Sequence, residues 1–123
     1  MATAGGGGWV RVLLRATLIG AVLQLLMVIY GHYNAGVVRW FAALGMALAL
    51  LAGFIFGRFS GLAGRVGATA GGAVAGAVCA AVAVVEAFSL GDVPAWVLGF
   101  APASSAVTGA LGGLLGRLAR PKR

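Results

Sequence analysis

Acidic side chains are nearly missing from this chain of 123 residues, which holds only Glu86 and Asp92 against nine Lys and Arg. Charged residues of both signs make up 9% of it, where soluble domains carry roughly 25%. A chain so poor in charge cannot clothe a water-facing surface, so lipid is the expected solvent. Cysteine is nearly absent too. The lone Cys79 can form no internal disulfide and leaves the redox compartment unread. His32 is the only histidine, and the two acids lie on other segments without metal-ligand spacing. Neither a metal nor a cofactor is expected. Ser104, Ser105 and Thr108 have no neighbouring base to activate a hydroxyl. No glycine loop precedes a Lys-Ser/Thr pair that would cradle phosphate. Enzymatic activity is therefore not expected.

What the chain has instead is apolar bulk. It is 62% hydrophobic, with 22 glycines and a mean hydropathy of +1.06. At about 20 residues per span there is room for four helices and short connections. The expectation is an all-α, integral membrane bundle of four transmembrane helices, over about 9–30, 38–57, 66–88 and 95–115. These form one domain over 9–116, with a flexible glycine-rich leader at 1–8 and a basic cytoplasmic tail at 117–123. The first apolar run follows Arg11 and Arg15 and continues to Tyr30. It exceeds the 7–15 residues of a signal-peptide core, so it is read as an uncleaved helix.

Trp9, Tyr30, Tyr33 and Trp96 suit helix ends at headgroup level, and Phe54, Phe56 and Phe59 read as an aromatic belt. Arg15 can snorkel back to the interface. Pro94 fits the first turn of the last helix. Pro102, inside that helix, should free the carbonyl of Leu98, with Ser104 and Ser105 close enough to help satisfy it.

The small residues carry the strongest pattern. Gly72, Ala75, Gly76 and Cys79 share one face of the third helix, while Val74, Val78 and Val85 fall on a bulkier one. Gly109-xxx-Gly113 and Gly112-xxx-Gly116 repeat the theme in the fourth. Between membrane helices, close backbone approach and dispersion replace the hydrophobic drive. These faces serve packing either within one bundle or between copies of the chain, and the spacing alone leaves both open.

Four polar residues could mark an ion or proton pathway: Gln24, His32, Arg39 and Glu86. Gln24 falls near the bilayer centre, on a face with Thr17, Gly20, Met27 and Gly31, where an interhelical hydrogen bond is the plainer reading. Glu86 lies about one turn from a helix end. There it reaches the headgroups, pairs with Arg39 or His32, or carries protons. His32 could join Tyr33, Asn34, Asp92 and Glu86 in an outer polar cluster. Histidine is the side chain that titrates near neutral pH.

Charge sets the expected orientation. With four spans, one side holds Arg11, Arg15, Arg58, Arg65, Arg117, Arg120, Lys122 and Arg123, and the other holds only Arg39. The positive-inside rule puts both termini in the cytoplasm. The Ala, Gly, Val and Arg bias fits a GC-rich bacterial genome and hence a bacterial cytoplasmic membrane. The net charge of +7 is taken up at helix ends, facing anionic lipid, so no nucleic-acid partner is expected. The bilayer is the expected partner, with a homo-oligomer or a larger membrane complex beyond it. Two functions stand. The first is a structural, accessory or assembly partner acting through helix contacts, and the alternative is a small oligomeric channel or transporter.

Overall fold

The computed structural model describes residues 2–34, 36, 40–60 and 65–119, and the side chains of all of these except 2–7, 41 and 42. The described residues form four α-helices: α1 (Ala2–Tyr33), α2 (Phe41–Phe59), α3 (Arg65–Ser89) and α4 (Val97–Leu118). Among the described residues there is no strand, and three helices are long and apolar enough to cross a membrane: Gly8–Tyr33 within α1, and all of α3 and α4. The apolar part of α2, Ala43–Phe59, is shorter.

The observed bounds differ from the sequence expectation most at the start of α1, and by two or three residues at the end of α1 and at both ends of α2 and α4. α1 begins at Ala2 and runs through the stretch expected as a leader. Extending a helix that already exists needs no new nucleus, although each of the four glycines costs about 1 kcal/mol relative to alanine. α4 begins at Val97 rather than Ala95, so Pro94 lies before its first turn and not in it. The amides of Val97 and Leu98 bond back to the carbonyls of Pro94 and Ala95, so a tight turn precedes the helix. α2 begins at Phe41, and Val38 lies outside the described residues.

α1 packs on α2 and α3, and α4 packs on the same two helices. The interior is made of small side chains. α3 buries Ala68, Gly72, Ala75, Gly76, Cys79, Ala80, Ala83, Val84 and Ala87, at intervals of one, three and four that describe a single helix face. Large apolar residues point out: Leu14, Leu18 and Leu26 on α1, Val74, Val78 and Val85 on α3, Val107, Leu111 and Leu115 on α4. A water-soluble bundle buries its leucines and valines. This one buries glycine and alanine and exposes the bulk.

Phe56 departs from the expected aromatic belt. It is 0% exposed and belongs to the core, whereas Phe59 is 61% exposed. The reason is Gly71 on α3. Its missing Cβ is the space that the Phe56 ring fills, so one helix offers a notch and the other a ridge.

The candidate cavity and its polar rim

One half of the bundle is a seam of touching backbones. Gly109 and Gly113 of α4 meet α2 and α3 together. A Cβ added at Gly53 or Gly72 would strike the carbonyl of Gly109, and one added at Gly57 would strike the carbonyl of Gly113. Gly76 faces the carbonyl of Ser105, and Gly112 and Gly116 face the carbonyls of Leu50 and Phe54. Such approach is open only to glycine, and it places α-carbons where weak C–H contacts to carbonyls form. Gly72, Ala75, Gly76, Cys79, Gly109, Gly112, Gly113 and Gly116 are all buried within this single chain. Gly53 and Gly57 share the seam; their spacing of four was present in the sequence as a second signal. Cys79 also ties in α1: its Sγ donates to the carbonyl of Thr17 at 3.2 Å, and it lies against Gly20.

Toward the other end the helices part and leave a cavity of about 240 Å³. All four helices line it. Gln24, Met27 and Val28 come from α1, Gly45 and Met46 from α2, Ala80, Ala83, Val84 and Ala87 from α3. α4 supplies Phe100, Ala101, Ser104 and Ser105. The tight seam lower on α3 and α4 holds these helices together. Nothing as close holds α1 to α4, and the space opens between them. Gln24 is 2% exposed, and its Nε2 has no hydrogen-bond partner among the described residues. Its Oε1 lies on the side of Gly45.

The hydroxyls of α4 bond along their own helix. Ser104 Oγ donates to the Ala101 carbonyl at 3.2 Å, and Thr108 Oγ1 donates to the carbonyls of Ser104 and Ser105 at 3.3 and 3.2 Å. Ser104 thus caps a carbonyl three residues back rather than the one at Leu98 expected from Pro102. Short hydroxyl side chains reach the i−3 and i−4 carbonyls of their own helix, and Leu98 lies beyond that span.

A polar rim closes this end. α3 stops in a turn in which Gly91, with φ +78°, takes the left-handed conformation that favours glycine. The amide of Asp92 bonds the Ala87 carbonyl and the amide of Gly91 bonds the Phe88 carbonyl, each at 3.0 Å. This is a Schellman motif. It reverses the chain so that Asp92 faces the end of α1, where its Oδ2 lies 3.1 Å from Nδ1 of His32. Val93, next in the chain, packs on Val28, Ala83 and Ala87. His32 also sets its ring edge-to-face against Tyr33.

Of the four residues read as a pathway three are described, Gln24, His32 and Glu86, and no hydrogen bond or ion pair joins any two of these. Gln24 lines the cavity, and His32 pairs with Asp92. Glu86 is half-buried and does not line the cavity; its Oε1 is buried with no hydrogen-bond partner among the described residues. Arg39 lies outside the described residues, as does the tail from Arg120 to Arg123. His32 and Asp92 have no third His, Cys, Asp or Glu beside them among the described residues.

Compared with protein families, with curated proteins and with solved structures, the chain has no significant match.

Proposed function

We propose that this chain is a non-catalytic, multi-pass membrane protein with four spans, which acts as a structural or assembly partner through helix contacts. The observation that carries this is the inverted packing, with glycine and alanine inside and leucine and valine outside. Lipid tails are as apolar as these side chains, so such a surface costs nothing in a bilayer and much in water. α2 has 19 residues, about 28 Å at 1.5 Å per residue. That is close to the roughly 30 Å of a hydrocarbon core, so it serves as the fourth span. Arg58 and Arg117 lie at one end of the bundle, where the seam brings α2 and α4 together. His32 and Asp92 mark the other end. The charge distribution then puts the arginine-rich end in the cytoplasm. The glycine faces are occupied within the chain, which leaves larger apolar ridges, such as that of α1, as surfaces for a partner.

Two single-cysteine variants, each made with Cys79→Ala, test the insertion and orientation. In intact cells a membrane-impermeant maleimide should label Gly36→Cys, and it should label Ala119→Cys only after lysis. The protein should stay in the membrane pellet at alkaline pH. Release to the supernatant, or labelling of both sites in intact cells, contradicts the reading.

The channel reading keeps one observation in its favour, the two unpartnered polar atoms at Gln24 and Glu86. Its test is proton flux into liposomes holding the wild type or Glu86→Gln. Flux present in the first and lost in the second would replace the structural reading.

A further inference from the structure

We infer that the arginine end of the α3–α4 seam binds the headgroup of an anionic phospholipid, with its phosphate between Arg65 and Arg117. The inference rests on the membrane-spanning reading and gives it a lipid partner. The seam sets the geometry. Gly72 meets Gly109 and Gly113, and a Cβ added at Gly113 would strike the carbonyl of Ala68. Arg65 is seven residues before Gly72, which returns it to within about 20° of the same helix face. Arg117 is four residues after Gly113, within about 40° of that face. Arg65 is also three residues before Ala68. Both arginines therefore stand about one turn past the last backbone contact, at one level, on the faces through which the two helices meet. Arg58 joins them from α2. Its amide nitrogen lies 2.8 Å from where a Cβ on Gly116 would stand, and its guanidinium sits over the Phe59 ring, 5.0 Å from the centroid.

Cations brought together across so narrow a seam repel one another and draw in negative charge. The chain places no Asp or Glu at this end. Glu86 lies 21 residues along α3 from Arg65, about 31 Å at 1.5 Å per residue, and Asp92 faces His32 beyond it. Guanidinium groups grip phosphate oxygens through paired N–H donors. The residue after each arginine selects a lipid over a free phosphate ion. Phe59, Val66 and Leu118 are large, apolar and exposed. The acyl chains of a bound phospholipid cover them, whereas an ion or an acidic peptide arriving from water does not. The headgroup must also lack an amine, because the same arginines repel an ammonium. Phosphatidylglycerol fits, and phosphatidylethanolamine does not.

The full chain, freed of lipid in a neutral detergent, is titrated with each of these two lipids, and bound lipid is counted by native mass spectrometry. Phosphatidylglycerol should bind saturably and at least about tenfold more tightly than phosphatidylethanolamine, the worth of one hydrogen bond to a charged group. Arg65→Gln combined with Arg117→Gln should abolish that preference. Arg11→Gln combined with Arg15→Gln removes the same charge from α1 and should leave the preference within about twofold, as bulk charge at an exposed site is worth little. A second measurement needs no variant. In the wild type, phosphatidylglycerol with a photoreactive headgroup should crosslink to the first turn of α3 and the last turn of α4. Equal binding of the two lipids overturns the inference. So does equal loss in the two paired variants, displacement of the lipid by inorganic phosphate, or crosslinking confined to other segments. The labelling map above reports on insertion separately, so the two readings fail in different experiments.

Discussion

The two halves of this bundle solve the same packing problem in opposite ways. In the seam, α2, α3 and α4 approach until backbone meets backbone at Gly53, Gly72, Gly109 and Gly113. Around the cavity the same helices carry alanines and valines, α1 joins them, and about 240 Å³ is left unfilled. The difference lies in side-chain size along one helix. α4 has Gly109, Gly112, Gly113 and Gly116 in its last half and Phe100, Pro102 and two serines in its first. Glycine fixes the interhelical distance at one end, and bulk and a hydroxylated turn hold the helices apart at the other. Nothing can be added to the seam without moving a backbone, whereas the other end has unfilled space.

Substitutions sharpen that contrast. The largest effect is expected in the seam. Gly109→Val places a branched side chain against the Gly72 carbonyl and the Gly76 backbone, and should cost about 3 kcal/mol or more, at the upper end of overpacking. Reversible unfolding in mixed micelles measures it, and a loss below about 1 kcal/mol would show that the seam can part. At Gln24 the expected sign reverses. Gln24→Leu removes a buried N–H that has no partner, so stability in the same assay should be unchanged or rise by about 1 kcal/mol. A clear loss would mean that the amide is satisfied in the membrane. The smallest effect belongs to the rim. Asp92→Asn removes the charge that faces His32, whose side chain is 35% exposed, and keeps an oxygen that can accept from it. It should cost no more than about 0.5 kcal/mol, as exposed ion pairs do.

The helical character and the small-residue face of α3 were legible in the sequence because both are periodic. Glycine and alanine at intervals of three and four on α3 coincide with the face that is buried. The outer cluster around His32 was legible in part: Asp92 and Tyr33 do meet it, brought there by the left-handed turn at Gly91 that redirects the chain after α3. Two features were not legible, each for a physical reason. The seat of Phe56 in Gly71 depends on the relative height of α2 and α3, which no single-helix pattern encodes. The cavity depends on the divergence of whole helices. For Gln24 an interhelical hydrogen bond was the plainer reading of the sequence, yet its Nε2 has no partner among the described residues. Gln24 reaches the space shared by the four helices, and Glu86 does not.

The central claim is that one end of the bundle has no room and the other has room to spare. Gly76→Ala and Gly45→Ala test it with one identical chemical change. A Cβ on Gly76 would strike the carbonyl of Ser105, whereas one on Gly45 meets only Oε1 of Gln24, at an ordinary 3.6 Å. Both changes gain about 1 kcal/mol of helix propensity. Unfolding in mixed micelles should show Gly45→Ala neutral or stabilised by up to about 1 kcal/mol, and Gly76→Ala destabilised by about 1–3 kcal/mol. Effects of the same sign and within about 0.5 kcal/mol of each other would contradict the account.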